Sequence, residues 1–484
     1  MEKRFVFFLW LLWTVAWAQQ PAPTQVDINH QYKPEELKAD LAYLIQQYEQ
    51  IHPGLYTYVS RQSISQQVKA IHRQLNRPMT RLEFCRLIIP ITASFRDGHT
   101  GMNFPRYELA SFVQKGGLVF PYEVSLQGNQ LFIKTDYSDN PATPAGTQIL
   151  SINGIPTQTI TQKMVAYSSG ELDSFRQIRA GNNFLRLAWY IFGFQSPYQL
   201  SIKTKAGATL HVVQPGLTVS AYETKVSQTA QKQALDNKYK YSFTLWPEQQ
   251  AAFFSFNHMD NLPAFESFLD SMFTTLHQQK TENLIIDMRQ NGGGNSALGE
   301  ALFRYITDKP VAQFVKMDMK ISLAVKQKSW YKQMGLTDTL SAGQIITNHI
   351  EAQRPAPLAK PDLFFRGAVY LLTSNYTFSS ANAFVTAFKC YKIGTIIGQE
   401  TGGVTIAFGE VVDFKLPNTQ LEAFSACKRM YHPCGVTKLQ GVLPDITLHQ
   451  QLADTKAGRD TVLEYTLEMI KTRATAEKKG VLRR

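Results

Sequence analysis

The chain has 484 residues, with 50 Lys plus Arg against 38 Asp plus Glu, a formal charge of +12, and 44% hydrophobic and 18% charged residues. These values exclude a disordered, collagen-like or coiled-coil chain. A chain of this length buries a core without a disulfide framework and has room for about three domains. The basic balance would suit nucleic acid, but Lys and Arg are scattered, and the densest run is the tail with Lys478, Lys479, Arg483 and Arg484. A charged terminus is ordinarily solvated, so no nucleic-acid partner is expected.

Residues 1–18 read as an export signal: a basic Met1–Arg4 start, an apolar Phe5–Trp17 run, and Ala16-Trp17-Ala18 as a small-x-small cleavage site. The run is about 13 residues against the roughly 20 that a span needs, so no stable membrane span is expected after cleavage. The destination is then periplasmic or extracellular. Residues 19–110 form a helical segment. Leu37, Leu41, Leu44, Ile45 and Tyr48 share one helical face, Pro53-Gly54 ends it, and a second run carries Ile64, Val68, Ile71 and Leu75. Thr80 with Glu83 is a capping box opening a third helix.

Residues 111–215 turn to short strands: Val119–Val124, Leu131–Lys134, Gly146–Pro156 with an Asn153-Gly154 turn, and Tyr198–Ile202, with a helical stretch after Pro156. Residues 240–475 alternate strands and helices, which predicts an α/β core. Its strands include 252–256, 283–287, 368–373 and 395–398, and a helix runs from Ser379 to Lys389. Residues 318–362 are polar and poorly periodic and are expected to be a surface excursion. The fold class is therefore α+β with an α/β part, in several domains. The four cysteines are Cys85, Cys390, Cys427 and Cys434, which allow three full pairings. Cys427 and Cys434 bracket a short loop that suits a local bridge. As zinc ligands with His432 they lack CxxC spacing and a fourth group, so no metal is expected.

Three segments carry chemistry. Asp287 to Gly294 places three glycines after a buried strand, where backbone N–H groups can converge on an oxyanion or simply turn. It lacks the Gly-Lys-Ser/Thr or GxGxxG of a phosphate cradle. Ser374 to Asn382 lies between a strand and a helix, where a Ser is either a helix cap or a nucleophile beside oxyanion-stabilising amides. Arg96-Asp97-Gly98-His99-Thr100-Gly101 sets an imidazole in a glycine-flanked turn, and a hydroxyl nucleophile needs such a base.

The Gly146–Pro156 segment resembles the Gly-Asp-x-Ile-Leu-x-Ile-Asn-Gly signature of PDZ domains, with Thr147 in the Asp place. It has no clean carboxylate-binding loop. The run Leu284 to Gly294, then Thr377-Phe378-Ser379-Ser380-Ala381, then Ile396 to Gly403, then Gly441 to Ile446, resembles the tail-specific (C-terminal processing) serine proteases. That resemblance implies a C-terminal α/β core of ClpP/crotonase-like type. It also implies an exported serine endopeptidase acting on peptides or proteins without metal or cofactor. Val404 stands where the Ser–Lys style has its Lys, so the chain is closer to the tricorn-core style, with a Ser and an upstream His. On that reading Ser379 is the nucleophile rather than Ser380, His99 is the base, and Gly293 and Ser380 N–H groups form the oxyanion hole. The acid that stands behind the His in that style has no counterpart before Gly441, where Lys438, Leu439 and Gln440 lie. Gln440 is the tentative orienting partner, with Asp445, Asp97 and Glu400 as alternatives. The missing acid and Lys leave one rival: a non-catalytic ligand or peptide carrier, as the repeats of interphotoreceptor retinoid-binding protein are. Oligomeric state is not legible.

Overall fold

The computed structural model describes residues 27–204, 207–234, 241–336, 340–435, 439–450, 454 and 458–478. The expected export signal, Lys438 and the basic residues after Lys478 lie outside them. Three helices open the described chain: α1 (Pro34–Ile51), α2 (Arg61–Gln74) and α3 (Arg81–Ser94). Thr80 and Glu83 make the reciprocal cap of α3, and the helix runs through Pro90 to Ser94. Strand β1 (Gly101–Met102) and α4 (Arg106–Gln114) follow.

The middle of the chain is a sheet with its own core. It contains β2 (Tyr122–Gln127), β3 (Gln130–Asp136), β4 (Gln148–Ile152), β5 (Ile155–Pro156), then α5 (Thr157–Ala166), α6 (Asp173–Asn182) and α7 (Phe184–Phe192), then β6 (Tyr198–Lys203) and β7 (Thr209–Gln214). The strand order is β2-β3-β4-β6-β7, with β5 beside β4. Leu131 and Ile133, alternate residues of β3, turn inward with Ile149 and Ile152 of β4, where a bulge between them shifts the alternation, to meet Ile160, Met164, Phe184 and Leu187 of the helices. Helix α8 (Val219–Ala234) leads out of this unit.

The C-terminal half holds the second six-stranded sheet. Its members are β8 (Ser242–Trp246), β9 (Ala251–Ser255), α9 (Leu262–Gln278), β10 (Asn283–Asp287) and α10 (Ala297–Ile306). After these come β11 (Lys316–Lys320), α11 (Leu323–Lys326), α12 (Ser329–Gln333), β12 (Ile345–His349), β13 (Ala368–Thr373), α13 (Ser380–Cys390) and β14 (Thr395–Gly398). The chain closes with β15 (Ile406–Lys415), β16 (Glu422–Tyr431), β17 (Ile446–Thr447) and α14 (Thr461–Lys478). The order β17-β14-β13-β10-β9-β8 is parallel except for β8. A parallel sheet is covered on both faces, so its strands read as apolar runs. Leu284, Ile286 and Leu371 face α9, α10 and α13, while Ile285, Tyr370 and Leu372 face Val462 and Ile470 of α14.

The third sheet corrects one expectation. The segment 318–362 is no mere excursion: β11 pairs with β16 and β12 with β11. Met319, Ile321, Val325 and Tyr331 bury against Val412 and Cys427, a core too short in any one stretch to show a period. The long β15–β16 hairpin pairs with β1 through Gly101 and Phe424, and Leu416, Leu421 and Ala423 complete the core of α1–α3. Asp40 on α1, fully buried, accepts N–H and hydroxyl bonds from Thr419 and N–H bonds from Asn418 at the hairpin turn. The disulfide joins Cys390 to Cys434, not Cys427 to Cys434, because Cys427 points into the hairpin core while Cys434 reaches the end of α13.

Candidate active site

The glycine loop, the serine turn before α13 and the histidine turn converge although they lie far apart in sequence. Asn291, fully buried at the start of the loop, donates Nδ2–H to Phe256 C=O and accepts Gly293 N–H, and its own C=O accepts Phe378 N–H. The turn before α13 is locked by Thr377 Oγ1 on Met288 C=O and by Ser374 Oγ on Arg289 C=O. Ser379 emerges from it at φ 55°, ψ −128°, a conformation a non-glycine residue seldom holds. Its hydroxyl makes no helix-cap bond and lies 3.1 Å from His99 Nε2. Ser380 Oγ instead donates to Gly294 C=O at 2.6 Å, so the two serines are distinguished by partner.

His99 is carried by the turn that ends α3 and enters β1. Thr100 Oγ1 accepts Ala426 N–H from β16, and Tyr48 donates to Gly101 C=O, which fixes the turn against the hairpin. The imidazole stacks on Phe378 at 5.0 Å, and Phe378 stacks on Phe175 of α6 at 4.1 Å. The middle sheet unit therefore reaches into the site. It brings Arg179 as well, whose Nη1 donates to Gly98 and Ser169 carbonyls.

Three buried polar residues stand behind the imidazole. Asp97 accepts His99 N–H (3.0 Å), Thr100 Oγ1 (2.6 Å) and His52 Nε2 (3.0 Å). His52 Nδ1 accepts Gly54 N–H, so Nε2 is the protonated nitrogen and donates to Asp97. Burial pushes the Asp97 carboxyl up, but the His52 hydrogen bond, the two neighbouring imidazoles and the Thr100 hydroxyl outweigh it and hold it below its ordinary value. Glu171, from the turn between α5 and α6, is fully buried, with no side-chain hydrogen-bond partner among the described residues and only the backbone N–H groups of Glu171 and Gly98 turned toward its carboxyl. Burial, then the Asp97 charge, pushes its carboxyl up to about 8. The His99 value is lowered: desolvation disfavours its cation, and the Arg179 charge adds to that against the opposing pull of Asp97.

His99 Nδ1 has no hydrogen-bond partner among the described residues; Asp97 Oδ1 is 3.9 Å away. Ligating atoms of Asp97, His99 and Glu171 lie within 4.8 Å of one another, but the Arg179 charge bears on both His99 and Glu171, which makes a poor cation site.

The other sequence candidates fall elsewhere. Gln440 makes no hydrogen bond to His99; the chain beside it is held to the 398–403 loop by Gly441 N–H on Glu400 and Val442 N–H on Thr401. The same bond occupies Glu400, while Asp445 accepts Ile396 N–H and pairs with Lys389. Gly293 is placed beside Ser379, but its N–H is donated to Asn291 Oδ1. A Cβ on Gly293 would lie 2.7 Å from Ser379 Cβ and 2.9 Å from Ser380 N, so close approach is what this glycine provides. Ser380 N–H opens α13 and has no partner within the helix. Val404 is buried and its C=O accepts Asn382 Nδ2–H. His52, Glu171 and Arg179 escaped the sequence reading because no local pattern marks them.

Residues 254–448 match the family model described as Peptidase family S41. A tail-specific protease of Haemophilus influenzae (strain ATCC 51907 / DSM 11121 / KW20 / Rd) is 26% identical over 197 residues, which is 39% of this chain and 24% of that protein. The chain therefore covers about a quarter of that relative's length. Mature CPAF complexed with lactacystin is similar in fold, with a TM-score of 0.62 at 16% identity over 91% of this chain and 99% of that one. Mature CPAF has a TM-score of 0.62 at 15% identity over 91% and 98% of the two chains.

Proposed function

We propose, from a chain whose residues 254–448 match the model of peptidase family S41, that this protein is an exported serine endopeptidase of the tail-specific kind, with Ser379 as nucleophile and His99 as base. Ser379 Oγ attacks the scissile carbonyl while His99 Nε2 takes its proton. The same imidazole returns the proton to the leaving amine, and a water molecule then releases the acyl group from Ser379 by the reverse sequence. The first amides of α13, led by Ser380 N–H, face the developing oxyanion with the positive end of the helix dipole behind them. Gly293 keeps the wall beside them thin enough for a substrate carbonyl to enter. Asp97 supplies negative charge near the imidazolium that forms. The sequence of steps requires neither metal nor cofactor.

The observation that carries this reading is the strained Ser379 with its hydroxyl 3.1 Å from His99 Nε2. The middle unit, residues 111–215, is read as PDZ-like on its Gly146–Pro156 strand and turn, and as such would take extended peptide segments by strand addition. The basic, apolar start of the chain supports export. No described helix is long and apolar enough to cross a membrane.

The test is labelling with a fluorophosphonate probe together with turnover of a mixed peptide substrate. Ser379→Ala is expected to abolish both, and His99→Ala to slow both by at least about a thousandfold, the scale of losing a general base together with its oriented nucleophile. A folded wild-type chain with neither labelling nor turnover refutes the proposal in favour of a carrier, which would be indifferent to Ser379→Ala.

A further inference from the structure

A base that accepts the Ser379 proton at Nε2 must carry its own proton at Nδ1, and a buried Nδ1–H needs an acceptor. Asp97 is the nearer charge, yet at 3.9 Å it is beyond hydrogen-bond range, and its oxygens already accept from His52, Thr100 and His99 N–H. Glu171 has the opposite inventory: its carboxyl is buried, no side chain hydrogen-bonds to it among the described residues, and one of its oxygens lies within 4.8 Å of a ring nitrogen of His99. A buried polar atom without a partner is costly, and Glu171 is the neighbouring carboxyl with acceptor capacity left for Nδ1–H.

We propose that Glu171, brought by the α5–α6 turn of the middle unit, is the positioning residue for His99, accepting Nδ1–H and thereby holding the imidazole in the tautomer that can take the Ser379 proton. This rests on the Ser379–His99 reading above. The arrangement is a switch with one proton. Ionised Glu171 accepts Nδ1–H and leaves Nε2 free to act as base. Protonated Glu171 donates to Nδ1, the ring proton moves to Nε2, and Nε2 can no longer take a proton from Ser379.

The groups that face Glu171 set where the switch operates. Asp97 repels its charge, the Glu171 and Gly98 backbone N–H groups and then Arg179 favour it, and Arg96 donates to the Glu171 carbonyl. His99 stands beside it, Tyr58 feels both carboxylates, and His52 acts through Asp97. With burial dominant, the carboxyl loses its proton near pH 8 rather than in the usual acidic range. Activity is therefore governed by an acid that ionises above the histidine, and the base is idle in weakly acidic surroundings.

The experiment is the rate of fluorophosphonate labelling of the full chain from about pH 6 to about pH 9, on either side of the ordinary His value. The wild type is expected to accelerate at least tenfold with an inflection near 8. Glu171→Gln is expected to label Ser379 about tenfold more slowly at the alkaline end and to lose that inflection, and Glu171→Asp to restore part of both. A Glu171→Gln profile equal to the wild type overturns the proposal while leaving the peptidase reading intact. Absence of wild-type labelling at every pH overturns both. Should Glu171→Gln fail to fold, 15N-histidine spectra of the wild type decide. His99 passing from an Nε2-protonated to an Nδ1-protonated ring as pH rises supports the switch, and one tautomer throughout overturns it.

Discussion

A residue held at positive φ without being glycine stores about 1–3 kcal/mol, and Ser379 keeps that geometry because the turn behind it is over-determined by Asn291, Thr377 and Ser374. The clearance on its other side is minimal. In Gly293→Ala the new methyl would meet Ser379 Cβ at 2.7 Å, on a backbone already at φ +98°. We expect turnover to fall at least about a hundredfold, a loss of about 3 kcal/mol of transition-state stabilisation, with circular dichroism unchanged. His432 gives a second prediction at this scale. It is buried, Nδ1 donates to Gln313 C=O, and desolvation drives its value down to about 4. The folded state thus binds the proton less readily than the unfolded state, so stability contributed by the neutral ring is lost as pH falls from about 6.5 to 4. The full effect is of the order of 3 kcal/mol. Denaturant unfolding across that range should show a steep acid loss that flattens in His432→Gln. Ser379 and His99 stood out as candidates because glycines and a strand-to-helix junction mark them locally. Glu171 and His52 carry no such mark: their meaning comes only from a neighbour supplied by another part of the chain.

Elements with strong periods were legible, among them α1 with its Leu37-Leu41-Leu44 face and β10 with its Leu284-Ile285-Ile286 run. The β15–β16 hairpin was not, since much of its length alternates Gly, Asp, Lys and Ser with apolar residues, and it buries different stretches against different partners. Its turn depends on one side chain. Asp40→Ala would leave Thr419 and Asn418 N–H groups without their acceptor, and we expect a loss of about 2–4 kcal/mol by urea unfolding. Asp40→Asn should recover part of it, because the amide oxygen still accepts. The Cys390–Cys434 bond ties the far end of α13 to the segment after β16 across a separation of 44 residues. A loop of that size predicts a stabilisation of about 4 kcal/mol at most, read as a lower Tm for Cys390→Ala together with Cys434→Ala.

At the scale of the molecule, the middle unit is a wall of the site as well as a neighbour. Phe175, Glu171 and Arg179 all come from its helical side. Removal of residues 117–214 should therefore depress hydrolysis of a small peptide and of a folded protein substrate alike, by at least a hundredfold, whereas a module that only selects substrates would spare the small one. Hydrolysis of the small peptide at the wild-type rate would refute that. The Ser379 and His99 side chains that meet at 3.1 Å are 280 residues apart in sequence, with the wall between them in chain order. Contacts of such separation are among the last a chain acquires, because loop closure must be met before they give anything back. A ribosome-bound chain thus possesses His99 long before it possesses Ser379. The assembly of the pair is timed by synthesis itself, and if the two act as proposed, a fragment ending before the 370s is expected to show no hydrolysis.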